Sequence, residues 1–266
     1  MEEVYRGMWA YAGVSIVNAI PAWLGSTMAV NLKIEVSLEE GSEHHDGLIG
    51  VIIEHFRQSL GIPGLRVSVR SPIPAGGGLK SSSAVAVALI EAIKNKYGLN
   101  YIDTPKLASE LSIKAGVSIT GAYDDSTASY HGGISFTNNK ENKLLDLREP
   151  PKDLSVIILA RGGRTRIDPN ALRRFEDLFR EIFSIAIRGD ILTAMRLNGI
   201  AVAEILGYEI EPIRKALRLG ALAAGVSGNG PSIFAITKKG EEGPVIDLFS
   251  RLGRVLVTEP ASITRL

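Results

Sequence analysis

Residues 72–84 read PIPAGGGLKSSSA, between a short strand pattern, LRVSV at 65–69, and an apolar helical stretch that ends near Gly98. Three consecutive glycines let the backbone bend sharply and leave its N–H groups unobstructed by side chains. The helix that follows offers unpaired N–H groups and a partial positive charge at its start. Together they suit a polyphosphate. Ser81, Ser82 and Ser83 add hydroxyls for phosphate oxygens or a divalent cation, and Lys80 adds a formal charge. The same residues also suit a surface loop with a serine helix cap, since serine is favoured there. The spacing is not that of the GxxxxGK[ST] loop.

Outward from this loop the chain alternates strands and helices. Residues 28–38, MAVNLKIEVSL, alternate apolar and polar, as a half-buried strand does. Residues 47–60 carry apolar positions at helical spacing and stop at Gly61. Asp103, Thr104 and Pro105 open another helix, with proline tolerated in the first turn. Strands are expected around a turn at Asn138 and Asn139. Pro150 and Pro151 then interrupt everything, because proline donates to no ladder, and a domain boundary is placed there, giving units 1–150 and 151–266. Beyond it come the strand SVIILA, helices near 170–187, 190–206 and 210–223, a glycine-rich hairpin with the strand SIFAIT, a helix near 243–251 and a last strand, RVLVT. The alternation lacks the regular beat of a doubly wound parallel sheet, so an α+β arrangement in two lobes is expected.

The chain has 266 residues, 30 basic against 29 acidic, and no cysteine. The near-zero balance argues against a nucleic-acid binder, which is usually strongly basic. The missing cysteines exclude disulfides and thiol chemistry and fit a reducing compartment, so a cytoplasmic location is expected. Residues 7–32 contain no charge at all, yet Asn18, Pro21 and three glycines make this run a poor membrane helix. It reads as two buried strands around a turn, and no membrane association is expected. The four histidines have no metal-ligand spacing.

The glycine loop resembles the PxxxGLGSSAA loop of the GHMP kinases, the family of galactokinase, homoserine kinase and mevalonate kinase. Pro74, Gly76, Gly78, Leu79, Ser81, Ser82 and Ala84 match, whereas Lys80 stands for a glycine and Ser83 for an alanine. The resemblance implies a two-lobed GHMP-kinase fold, an N-terminal lobe with the phosphate loop and a ferredoxin-like C-terminal lobe. It implies ATP and Mg2+ as cofactors, with Pro74, Ala75, Gly76, Gly77, Gly78, Leu79, Lys80, Ser81, Ser82, Ser83 and Ala84 on the nucleotide and Ser82 on the metal. Lys80 must then avoid a positive φ or adopt one at a cost.

Two more segments carry the resemblance. VSGNGPS at 226–232 is similar to the family's C-terminal glycine motif, which implies substrate contacts from Ser227, Gly228, Asn229 and Gly230. In TGAYDDSTASYHGG at 120–133, counting back from Gly132 as the family does lands on Asp125 as the base, with Asp124 beside it. A carboxylate is needed because the acceptor hydroxyl loses its proton as it attacks. Adjacent carboxylates titrate together, so their roles stay undivided at this point. The family's second metal ligand, a glutamate on the preceding helix, is represented only by Glu110, somewhat early in the chain.

Seven arginines (Arg161, Arg164, Arg166, Arg173, Arg174, Arg180 and Arg188) and no lysine lie in residues 161–188. Arg161, Arg164 and Arg166, on a glycine-containing turn, suit a carboxylate gripped by a guanidinium. The strings NAI at 18–20, KAGVSITGAYDDSTASYHGG at 114–133 and RGGRTRID at 161–168 resemble the family's archaeal branch whose acceptor is shikimate. That resemblance implies phosphoryl transfer from ATP to the shikimate 3-hydroxyl. Another family acceptor (homoserine, mevalonate or pantoate) or a non-catalytic binding module stays open. Oligomeric state is not legible.

Overall fold

A computed structural model of the chain describes residues 5–163 and 167–266. The uncharged run falls in two long antiparallel strands, β1 (Tyr5–Val17) and β2 (Leu24–Glu40). Its lack of charge has a plain cause. Residues 25–30 of β2 are buried on both faces, while from residue 31 onward burial relaxes toward the alternation of a one-sided strand.

Helix α1 (Gly47–Leu60) ends at Gly61, whose φ of 65° lets its N–H reach Arg57 O. Strand β3 (Leu65–Arg70) leads into the glycine loop, and α2 (Ser81–Tyr97) leaves it. Ala84, Ala86, Val87, Leu89, Ile90 and Ile93 of α2 are all fully buried. A helix apolar nearly all round must be covered all round, and this one lies among β1, β2, α1, α3 (Thr104–Lys114) and α4 (Tyr123–His131). Asp103 caps α3 by accepting the Lys106 N–H. Strands β4 (Ile134–Asn138) and β5 (Lys143–Arg148) complete the first sheet, ordered β1-β2-β4-β5, with β3 sharing the β4 edge of β2.

After the two prolines the chain builds β6 (Leu154–Ala160), α5 (Pro169–Arg173), α6 (Glu176–Ile187), α7 (Ile191–Leu206), α8 (Glu211–Arg218), β7 (Ala223–Val226), β8 (Ile233–Lys238), α9 (Gly243–Ser250) and β9 (Arg254–Thr258). The second sheet is antiparallel throughout, ordered β7-β8-β6-β9. Read from its other edge, that is the fourth, first, third and second strand of the half, the ferredoxin-like order. Two expected helices are shorter than their patterns. The stretch 170–187 breaks between α5 and α6, and 210–223 stops at Arg218 because Gly220, at φ 98°, turns the chain into β7.

The two halves interlock. Helix α7 packs on both β7 and β1, and Gly199 approaches Gly225 so closely that a Cβ on either would lie 2.4 Å from the other's Cα. Beyond β9 the chain returns to the first sheet: Ala261 bonds Ala29 and Gly133, and the Thr264 N–H reaches His131 O. No described helix is long and apolar enough to cross a membrane.

Candidate active site

The glycine loop holds its shape through positive φ angles at Gly76 (70°), Gly78 (80°) and Lys80 (67°). A Cβ on Gly77 would lie 2.4 Å from Arg161 O, and one on Gly78 2.0 Å from Ser227 O. These glycines are therefore required by close backbone approach from the second half of the chain. The clamp is built from hydrogen bonds. Ser227 Oγ donates to Gly78 O at 2.8 Å, and the Ser232 N–H donates to Gly77 O at 3.1 Å. Ser232 Oγ in turn engages both N and O of Arg161, each at 3.1 Å.

A cleft of about 850 Å3 opens in front of the loop. Gly76, Gly78, Lys80, Ser81, Ser82 and Ser83 line one wall, the start of α4 and residues 116–120 another, and Gly228, Asn229 and Gly230 a third. Pro74, Gly77, Leu79 and Ala84 are not in the wall, whereas Ala75 is. Leu79 and Ala84 belong to the hydrophobic core, where they seat the loop rather than touch its contents.

Lys80 takes the left-handed conformation that the family motif gives to glycine, and its side chain shows what the residue does there. Its Nζ lies 2.8 Å from Asp125 Oδ1 and donates to Ser15 Oγ at 2.6 Å. Asp124 and Asp125 occupy the first turn of α4, where the helix N-terminus favours negative charge. Asp125 borders the cleft. Thr27 Oγ1, from β2, lies 2.6 Å from Asp125 Oδ1 and 3.0 Å from Asp124 Oδ2. Asp124 is 3% exposed and accepts a bond from Asn139 Nδ2 at 2.8 Å on its other oxygen. Burial pushes its carboxyl up to about 7, and the neighbouring Asp125 charge adds to the rise.

Several expected residues stand elsewhere. Ser227 does not face a substrate: it is fully buried, with its hydroxyl committed to Ser15 N and Gly78 O. Arg161 does not line the cleft and meets the glycine loop through its backbone. Arg164 and Arg166 lie outside the described residues. Glu110 is exposed and lines a separate groove with His55 and Asp103, so the metal role expected of it is not available there. The residue of α3 that does face the cleft is Ser112, about 200° round the helix from Glu110. Its Oγ is buried without a hydrogen-bond partner. Among the described residues no cluster of three acidic or histidine side chains is placed to hold a metal.

Nothing in the sequence singles out Ser15 or Thr27, and Asn18 stands out only within the uncharged run and the NAI string, with no site role attached. Asn18 bonds its Nδ2 to Asn229 Oδ1 at 2.8 Å and its N–H to Asn198 Oδ1 at 2.8 Å, tying the end of β1 to the 228–230 turn. A buried asparagine in an uncharged run was the available signal.

Two family models match this chain, GHMP kinases N terminal domain over residues 47–133 and GHMP kinases C terminal over residues 177–251. A shikimate kinase from Pyrococcus furiosus is 36% identical, the match covering 93% of this chain and 96% of that protein. The chain belongs to the GHMP kinase family. Another relative in the family, a shikimate kinase from Methanothermobacter thermautotrophicus, is 33% identical over 97% of this chain and 96% of its own. Among solved GHMP kinase folds, the Methanococcus jannaschii mevalonate kinase superposes with a TM-score of 0.71 at 15% identity, covering 100% of this chain and 99% of that one. A homoserine kinase from Cytophaga hutchinsonii gives 0.70 at 20% identity, covering 97% and 96%.

Proposed function

We propose that this protein is a shikimate kinase, transferring the γ-phosphoryl group of ATP to the 3-hydroxyl of shikimate on the route to chorismate and the aromatic amino acids. The similarity to archaeal shikimate kinases along more than nine-tenths of the chain supports that acceptor. The observation that carries the chemistry is the Lys80–Asp125 pair. It places a carboxylate, an ammonium group and the start of α2 on one cleft.

The glycine-loop amides, the N–H groups opening α2 and the hydroxyls of Ser81 and Ser82 receive the phosphates. Both close contacts to Asp125 fall on Oδ1, which leaves Oδ2 for the acceptor hydroxyl. That oxygen takes the hydroxyl proton as the acceptor oxygen attacks the γ-phosphorus. Little covalent work is asked of the protein. Rate comes from positioning and charge neutralisation, with Lys80 beside the developing charge.

The donors on the cleft fit a magnesium ion that arrives with the nucleotide. Ser82, in the cleft wall, offers a neutral hydroxyl oxygen, and magnesium is usually held by substrate phosphates and water with few protein ligands. Bound there, the ion supplies charge neutralisation at the phosphates. Lys80 is the only cation among the described residues lining the cleft, and Asp125 occupies it. The acceptor carboxylate is assigned to the arginine turn of residues 161–166 on its guanidinium chemistry. The cysteine-free composition fits a reaction housed in the cytoplasm.

A panel of shikimate, homoserine, mevalonate and pantoate, each assayed for ADP release, tests the assignment. Shikimate-dependent turnover is expected. Turnover with another acceptor and none with shikimate rejects it.

A further inference from the structure

A single hydroxyl stands between the two carboxylates of α4, and the protons around it do not add up unless one carboxylate is an acid. Thr27 Oγ1 is 2.6 Å from Asp125 Oδ1 and 3.0 Å from Asp124 Oδ2. A hydroxyl has one proton to give. Given across the shorter contact to Asp125, it leaves two oxygens facing each other at Asp124. The other Asp124 oxygen is already served by Asn139 Nδ2. That amide cannot be reversed, because Asn139 Oδ1 accepts the Asp124 backbone N–H at 3.3 Å and the Thr137 hydroxyl at 2.6 Å. The missing proton belongs on Asp124 Oδ2.

We propose that Asp124 is a neutral carboxylic acid that positions the base: its Oδ2–H donates to Thr27 Oγ1, whose own proton goes to Asp125 Oδ1, turning Asp125 Oδ2 toward the cleft. The proposal rests on the reading of Asp125 as the base and assigns the two adjacent aspartates different work. The surroundings support it. Gly25 leaves the room for this carboxyl, since a Cβ there would lie 2.6 Å from Asp124 Cγ. The charged groups acting on it are Asp125 on its own helix, which opposes a second negative charge, and Lys80 ahead of α2, which is engaged by Asp125. From β2 it meets Thr27 and Gly25, and from the end of β4 Asn139. Two carboxylates with environments this different divide acid from base. The direction of the Asp124 shift, up to about 7, agrees with the hydrogen-bond count.

Infrared spectra of the substrate-free protein at pH 6 test the proton directly. A protonated-carboxyl C=O band is expected in the native protein, and its disappearance is expected in Asp124→Asn. Kinetics test the positioning. Thr27→Val and Asp124→Ala lower kcat by about 10²-fold with KM for ATP nearly unmoved, the scale of a misaligned reacting group. Asp124→Asn, whose amide N–H replaces the acid proton, recovers most of that loss and flattens the pH profile near 7. Absence of the band, or Asp124→Asn as inactive as Asp125→Asn at an unchanged melting temperature, overturns the proposal. Because the band is read without ATP or acceptor, its outcome is separate from that of the acceptor panel.

Discussion

Lys80 Nζ lies 2.8 Å from Asp125 Oδ1, so the glycine loop and the carboxylate proposed as the base are joined by an ion pair whose lysine comes from the loop itself. Both side chains are largely withdrawn from solvent, at 7% and 15% exposure, and the pair is therefore little screened. A left-handed conformation costs a lysine about 1 kcal/mol or more, and glycine would occupy the position without that cost. The reach to Asp125 and Ser15 explains why lysine is there instead.

Lys80→Met is expected to lower kcat by about 10²-fold, the scale of losing one preorganised electrostatic contact. Lys80→Gly, which relaxes the backbone but removes the charge, should fall as far. Steady-state ADP release measures both. Wild-type turnover in the glycine variant would mean that the ammonium group is dispensable.

Asp125→Asn removes the carboxylate proposed as the proton acceptor and keeps the shape. Turnover should drop by about 10²- to 10⁴-fold, the range of a general base. Calorimetric titration with ATP should give an affinity close to that of the native protein. Full retained activity would assign the base elsewhere.

Asp124 makes stability depend on pH in an uncommon direction for an aspartate. Its carboxyl is raised from 3.8 to about 7 in the folded protein, so the folded state binds the extra proton between those values. The stabilisation from this group is present at low pH and is lost as pH rises through about 7. Asp124→Asn should thus gain melting temperature relative to the native protein between pH 5 and pH 8. A relative loss over the same interval would contradict the raised value.

Gly199→Ala probes the seam between α7 and β7. A Cβ there would sit 2.4 Å from Gly225 Cα, with backbone rather than a yielding side chain opposite. Overpacking of this kind costs about 1–3 kcal/mol and sometimes more. Urea unfolding should show the midpoint falling while the slope stays constant.

Much of this was legible because the deciding signals were local. The glycine run, the serines after it and the apolar helix behind them lie within one stretch of chain, and the Gly132–Gly133 pair points back to Asp125 over a few residues. The uncharged run read as paired strands for the same reason. Thr27 was invisible, since nothing in a strand marks which of its hydroxyls will meet a helix 98 residues later. Ser227 looked like a substrate contact because a serine beside glycines reads the same whether it faces a ligand or a neighbouring loop. Glu110 was chosen by its charge, but helical geometry turns it outward and presents Ser112. Arg161 meets its neighbours through backbone N and O, a role that its side-chain chemistry could not announce.

The bonds from Ser227 and Ser232 to Gly78 and Gly77 have a consequence for how nucleotide binding is inherited along the chain. Residues 1–150 contain every side chain of the glycine loop, yet the Gly77 and Gly78 carbonyls are fastened by Ser232 and Ser227, in the turn between β7 and β8. A fragment cut at the prolines would carry the whole signature and lack the shape. The shape of the proposed nucleotide loop is thus a property of both halves of the chain together, and a rearrangement that parts the two sheets would break the bonds that hold it.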